Sequence, residues 1–257
     1  MAELLLELFS EEIPARMQEP AAEQLRARLA ERLAGGGYDG LEIETFVTPR
    51  RLAAAVTSLA DAQPDLKEER KGPRVDAPEK ALNGFLKSVG LSKADLDVRE
   101  DKKGAFYVAN IERAGRPTEA VIADLVPALV RDFKWPKSMR WGAGNLRWVR
   151  PLHGILCLFD GKHVPFDVDG IASGDTTRGH RFLAPDPIAV TGHAHYVDEL
   201  DRAKVILDRA QRLWFIDKAA RDLAEAEGLV CEPDRALLEE NAGLVEWPVV
   251  LIGRIDA

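Results

Sequence analysis

The sequence predicts an α+β fold of mixed, mainly antiparallel sheets with packed helices in two lobes, and three observations carry this. An apolar run at Leu4, Leu5, Leu6 and Leu8 ends at Ser10-Glu11-Glu12-Ile13-Pro14, as a buried strand does when it leaves a sheet. Leu25, Leu29 and Leu33 recur at four-residue spacing, the buried stripe of a helix. Asp160-Gly161 parts two β-prone stretches, 155–159 and 162–168, and suits a two-residue hairpin turn.

After the first strand, a helix is expected to start with Pro20 at its first position, where a missing N–H costs little, and to stop at Gly35-Gly36-Gly37. Residues 41–59 are rich in Val, Ile, Thr and small side chains. Thr48-Pro49 interrupts any regular ladder there, leaving two strands or one bulged strand. Residues 64–78 hold three prolines and the charges of KEERKGPR, and read as an exposed connection with no packed role. A short helix over 78–89 puts Leu82, Phe85, Leu86 and Val89 on one face and closes at Gly90. A charged turn at 101–104 leads to a strand over 105–111, and 118–133 follows as an apolar-striped helix kinked by Pro127.

A long helix is expected from about 198 to 227, with Val205, Ile206, Leu213, Trp214, Ile216 and Leu223 on its apolar face. Asp198 and Arg202, Asp208 and Arg212, and Asp217 and Arg221 are acid-then-base pairs marking its solvated side, each worth about 0.3 kcal/mol. Residues 244–255, around Trp247-Pro248, suggest a pair of strands. The two lobes are expected at 1–141 and 142–257, joined near 141–145, the second being truncated at its C-terminal end.

At 257 residues, 46% hydrophobic and 30% charged, the composition is that of a globular protein and excludes disordered and fibrous classes. No run of eighteen apolar residues exists, and the N-terminus lacks a basic stretch followed by an apolar one, so no membrane partner is expected and the cytoplasm is the expected compartment. Cys157 and Cys231 are too few for a disulfide framework or a four-sulfur zinc site, and read as buried small hydrophobes.

The formal net charge is -8, yet no carboxylate occurs between Asp132 and Asp160, where Lys134, Lys137, Arg140, Arg147 and Arg150 alternate with Trp135, Trp141 and Trp148. An acidic protein repels polyanions on average, so a surface that meets a phosphate backbone must be locally basic and cleared of acids. Two readings stand. The cations neutralise phosphates while the indoles stack bases, or the indoles anchor the core and the cations form a solvated rim.

Neither GxxxxGK[ST] nor a strand followed by GxGxxG is present, so a self-contained nucleotide site has no support. Lys137-Ser138-Met139-Arg140 and His153-Gly154 are similar to the signatures of Rossmann-type synthetases, but they come in the wrong order and without the nucleotide-binding βαβ. His193, His195 and His180 offer imidazole nitrogens, but residues two apart converge only on a strand and no carboxylate stands at a telling spacing, so no metal site is expected. No nucleophile-elbow signature occurs, and no catalytic residue is assigned. Gly174 to Phe182, as GDTTRGHRF, opens with a glycine and offers Arg178, His180 and Arg181 as anion donors, and Arg50-Arg51 form another pair at the strand break. The candidate phosphate contacts are therefore Lys137, Arg140, Arg147 and Arg150, then Arg178 and Arg181, then Arg50 and Arg51, all on charge and spacing alone.

In this order, LLLELFSEEIPARM, FVTPRRLAAAV, KSMRWG, LRWVRPLHGILCLFDG, SGDTTRGHRF and LLEENAGLVEWPVVL resemble the beta subunit of the bacterial two-subunit glycyl-tRNA synthetase across almost the whole chain. Asn241 stands where an apolar or threonine residue is expected. The resemblance implies an enzyme that forms glycyl-adenylate from glycine and ATP and transfers glycine to tRNA(Gly). It also implies an alpha2/beta2 tetramer in which ATP and Mg serve the alpha subunit's activation site, with no cofactor bound by this chain and no DNA partner. In this family the beta chain continues through an HD-like helical domain to an anticodon-binding domain, so the present chain is expected to be an N-terminal piece, unable to aminoacylate alone. It would position tRNA and dock alpha. The competing expectations are a purely structural module, with RNA left to the later domains, and a small-molecule enzyme using the histidines with a metal.

Overall fold

A computed structural model describes residues 2–101 and 104–253. The α+β class holds, with 35% of residues helical and 29% in strands. The chain opens with β1 (Ala2–Ser10), continues as α1 (Ala15–Gly35), and returns as the hairpin β2 (Glu42–Val47) and β3 (Arg51–Leu59). α1 begins five residues ahead of Pro20, because Pro14 with φ -54 already has the geometry of a residue entering a helix and the Met17 N–H closes the first turn on its carbonyl at 2.8 Å. Pro20 is left inside the helix. The left-handed residue past the helix end is Gly37, φ 86.

Ala62–Pro117 form a compact unit of their own. It holds β4 (Leu66–Arg74), α2 (Glu79–Val89), β5 (Leu96–Asp101) and β6 (Gly104–Arg113), with strand order β4-β6-β5. The stretch expected to be an exposed connection is thus a strand. Its charges stay in water and pair across strands, Lys67 with Glu112 at 3.2 Å and Glu69 with Arg99 at 2.7 Å, while Pro73 falls where the register shifts between Lys71 and Arg74. α2 packs Phe85 and Val89 near Ala109 and Ile111 and ends at Gly90, φ 68, as expected. A Cβ on Gly72 would meet the Phe85 ring at 2.6 Å, so only glycine lets α2 approach β4 this closely. Of the charged turn expected at 101–104, residues 102 and 103 lie outside the described ones.

The first unit resumes with α3 (Thr118–Asp132), in which Pro127 lies, and β7 (Leu152–Phe159). Asp160 and Gly161, φ 48 and 74, turn the chain into β8 (Lys162–His163), which pairs with β7 for two residues. β9 (Asp167–Val168), β10 (Ile171–Gly174), β11 (Thr176–Arg178) and β12 (Pro187–Ala189) follow, then α4 (His193–Arg202), α5 (Arg209–Ala226) and α6 (Arg235–Ala242). The main sheet runs β2-β3-β1-β7-β10-β9 and is antiparallel except where β10 joins β7. β1 lies at its centre, with both faces covered. Leu4, Leu6 and Leu8 share a core with Leu25, Leu29 and Leu33 of α1 and Ile122, Val126 and Leu129 of α3, while Leu5 faces the other way with Leu156, Leu158, Tyr196 and Leu200. A strand covered on both faces reads as an unbroken apolar run. Each such leucine contributes about 1.5–3 kcal/mol of burial.

The division into units differs from the expected lobes at 1–141 and 142–257. Residues Met1–Asp61 and Thr118–Ala257 make one unit because β1 pairs with β7 across that boundary. The long helix over 198–227 is two. Lys204 takes φ 62, and Asp208 is the N-cap of α5, accepting from the Ala210 and Gln211 N–H groups instead of pairing with Arg212. Arg202 pairs with Glu199, and of the three expected pairs Asp217–Arg221 forms, at 2.9 Å. Residues 244–253 form no strand, and 254–255 lie outside the described residues. Asn241 is exposed and satisfies its amide by donating to the Leu237 carbonyl at 2.8 Å.

Candidate nucleic-acid interface

From the end of α3 to β7 the chain has little regular structure, and its tryptophans hold it to the core. Trp148 is fully buried, with Phe133 5.1 Å and Trp135 5.0 Å away between ring centroids, and Trp135 and Trp141 pack against the same core from part-buried positions. The base-stacking reading of this trio therefore fails for Trp148: its faces are already covered by protein. With the indoles turned inward, the intervening cations turn out. Lys137, Arg140, Arg147 and Arg150 are all exposed, and among the described residues no ion pair involves any of them. Met139 and Trp148 bridge in antiparallel fashion with N–H···O distances of 2.8 and 3.1 Å, which brings their chain neighbours Arg140 and Arg147 to facing positions. Like charges placed so are destabilising unless an anion joins them.

Three of the four other predicted arginines, Arg50, Arg178 and Arg181, converge on a separate cleft of about 440 Å³, lined also by Phe9, Glu11 and His153. β1 delivers Phe9. The turn before β3 delivers Arg50, whose carbonyl accepts from the Ser10 N–H at 2.8 Å. Arg178 ends β11. The Arg50 guanidinium lies 4.6 Å from the Phe9 ring centroid, its buried Nε has no hydrogen-bond partner, and burial followed by the Arg181 charge pulls its pKa below the ordinary arginine value. Arg178 is exposed and donates to the Pro185 carbonyl at 3.2 Å. A neighbouring concavity of about 300 Å³ shares Phe9, His153 and Arg178 and runs on past Gly154, Thr176 and Pro187.

Two of the eight predicted contacts change role. Arg51 is fully buried, so no phosphate reaches it: its guanidinium is paired with Glu7 at 3.2 Å and with Glu246, and donates to the carbonyls of Arg178 and Gly179. Glu7 also accepts from Thr177 at 2.6 Å and Tyr196 at 2.5 Å, and Glu246 from Thr48 at 2.7 Å. Burial alone would raise the Glu246 carboxyl, but Arg51 and Thr48 outweigh it and hold it below the ordinary value. Arg181 is half-buried and pairs with Glu11 and, at 2.7 Å, with Glu12. Its hydrogen bond is the main reason that the Glu11 carboxyl is held low, helped by His153 Nε2 at 2.9 Å. Arg51 and Arg181 thus brace the cleft, leaving Arg50 and Arg178 as its cations without an ion-pair partner among the described residues.

Sequence reasoning missed Glu7, Glu11 and Arg212. A lone carboxylate among the leucines of β1 was the available signal, since a buried charge demands a buried partner. Arg212, expected on a solvated side, is fully buried and donates to the carbonyls of Val47, Ile206, Leu207 and Ala242 at 2.6–3.1 Å. Burial lowers its pKa to about 10. His193 and His195 sit on the first turn of α4, and among the described residues no three His, Cys, Asp or Glu side chains converge as metal ligands. Nor is any helix among them long and apolar enough to cross a membrane.

A family model described as glycyl-tRNA synthetase beta subunit matches residues 4–257. The glycine–tRNA ligase beta subunit of Ruegeria sp. (strain TM1040) is 52% identical over 261 residues, and that of Paracoccus denitrificans 51% over 260, each alignment covering 100% of this chain. The beta subunit of Rhodospirillum centenum is 48% identical over 281 residues. The chain spans 38% of the length of the first two relatives and 39% of the third. With a match across nearly every residue, and half of the positions identical in proteins of one description, the chain belongs to the glycyl-tRNA synthetase beta subunit family.

Proposed function

We propose that this chain serves the ATP-dependent attachment of glycine to tRNA(Gly) as the part of the beta subunit that holds tRNA and docks the alpha subunit. The observation that carries this reading is a set of exposed cations, Lys137, Arg140, Arg147 and Arg150, with no ion-pair partner among the described residues, on an otherwise acidic chain of this family. Holding tRNA beside a partner that activates glycine turns an encounter between macromolecules into a local reaction. In this reading ATP and magnesium are used by the alpha subunit, in a cytoplasmic alpha2/beta2 assembly. The chain supplies orientation and counter-charge: its cations displace the ions condensed on the RNA backbone, and the indoles packed against the core keep their platform in place.

Crosslinking tRNA(Gly) to the alpha–beta assembly and mapping the peptides tests the proposal. Crosslinks are expected within residues 134–150, and their absence there from an active assembly would refute it. A second reading, assembly alone, draws on a different surface. The groove of about 570 Å³ between α5 and α6 is lined by apolar side chains, including Trp214, which is 61% exposed, and Leu237, 57% exposed, together with charged ones such as Asp217, Arg221 and Arg235. Loss of alpha capture on Trp214→Ser, with tRNA binding intact, would favour it.

A further inference from the structure

One aromatic side chain in the loop that borders the arginine cleft stands largely in water, with the His180 ring 6.2 Å away between centroids. Phe182 is 81% exposed, the most open phenylalanine among the large exposed apolar residues. It sits between Gly179 and Pro185, both of which line the cleft, and directly follows Arg181. Its loop is ordered from within: the Phe182 and Leu183 N–H groups donate to His180 Nδ1 at 3.3 and 3.2 Å, and the Ala184 N–H to the His180 carbonyl at 3.0 Å. That geometry uses the neutral imidazole, and burial, with the nearby Arg51 and Arg50 charges, holds His180 below its ordinary value of 6.5. A tightly turned loop that keeps a phenyl ring in water, its two ends lining a cleft where Arg50 and Arg178 have no carboxylate partner among the described residues, suits a ligand with both an anionic group and a flat apolar face.

We propose that this cleft binds an unpaired stretch of RNA, a phosphodiester lying between Arg50 and Arg178 and an adjacent base stacking on Phe182. This rests on the reading of the chain as an RNA-holding subunit and adds to it which form of RNA is taken. Unpaired RNA is indicated because bases in a duplex have their faces covered and cannot stack on a side chain, whereas splayed nucleotides offer both face and phosphate. The two adjoining concavities, about 440 and 300 Å³, share Phe9, His153 and Arg178, so they form a track rather than a socket for one ion. Glu11 limits the register. Its carboxylate already occupies Arg181 and His153 and repels a phosphate from that wall, leaving Arg50 and Arg178 as the free pair.

The test measures binding of a fluorescent single-stranded RNA octamer and of a blunt-ended RNA duplex of equal charge to the alpha–beta assembly, with wild type, Phe182→Ala, Phe182→Tyr, Arg50→Ala and Arg178→Ala. Phe182→Ala is expected to weaken octamer binding roughly five- to hundredfold and leave the duplex unchanged, while Phe182→Tyr restores it, because stacking needs only a ring. Arg50→Ala and Arg178→Ala each flatten the octamer's log affinity against log salt by about 0.7. Unchanged octamer binding by Phe182→Ala, or equal losses for octamer and duplex, overturns the proposal. So does a loss of alpha capture on Phe182→Ala with RNA binding intact, which would make the ring a protein contact, or displacement of the octamer by equimolar mononucleotide, which would make the cleft a free-nucleotide site. If Phe182→Ala is silent while charge removal at residues 137–150 abolishes tRNA binding, this inference alone fails; if tRNA touches no part of the chain, the broader reading fails with it.

Discussion

Replacing Arg51 by methionine removes the one cation that two buried carboxylates share. Glu7 and Glu246 are 1% and 4% exposed, and Arg51 is 0% exposed, so water cannot take the place of the guanidinium. Removing one member of a buried ion pair costs about 3–5 kcal/mol, chiefly because the remaining charge is left without a partner. With a urea dependence of about 2–3 kcal/mol per molar, the unfolding midpoint should fall by roughly 1–2 M. The pH dependence should also change sign. In the wild type the Glu246 carboxyl is held below 4.5, so its contribution is present above that value and lost as pH falls through the folded pKa. Without Arg51, burial dominates and raises the folded pKa, so the variant should gain stability relative to wild type as pH falls towards 5. Adding Glu7→Gln and Glu246→Gln should recover most of the loss at pH 7. Urea unfolding monitored by tryptophan fluorescence at pH 5 and pH 7.5 measures all of this. A midpoint shift under about 0.3 M, or an unaltered pH trend, would refute the assignment of Arg51 to the buried network.

Trp148→Ala should destabilise the chain by about 3–5 kcal/mol, as loss of a large core side chain does, and thermal melting reads it directly; a loss below 1 kcal/mol would mean that the indole is not a core anchor. The Cys157 thiol is fully buried and pushed up from its usual value by burial, whereas Cys231 is partly exposed. An aromatic disulfide reagent should therefore titrate one thiol in the native chain and two in urea, and rapid reaction of both in the native state would contradict this.

What the sequence made legible follows from where the information sits. β1 was readable because both of its faces are covered, so its leucines run through it almost unbroken, and Asp160-Gly161 was readable because few residue pairs take two successive positive φ values. β4 was not: its Lys and Glu side chains face water, and what makes it a strand is pairing with β6, which lies some forty residues on. The break between α4 and α5 escaped notice because Asp208 fits an i,i+4 pair with Arg212 as well as it fits an N-cap, and only tertiary burial of Arg212 separates the two. The site divides in the same way. Charge reversal between Asp132 and Asp160 is a property of composition, and its cations do lie exposed. Which arginines are already paired is a property of the fold, so Arg50 and Arg51, adjacent in sequence, end up on opposite sides of that distinction. Strand alternation alone would have put their side chains on opposite faces, and Glu7 in β1 was the hint as to which was buried.

The most direct measurement of the central claim is the salt dependence of tRNA(Gly) binding to the alpha–beta assembly, with and without the combined substitutions Lys137→Ala, Arg140→Ala, Arg147→Ala and Arg150→Ala. If these four side chains meet phosphates, the slope of log affinity against log salt should become shallower by about 3. Equal slopes and equal affinities for the two forms would show that this basic surface faces something other than RNA.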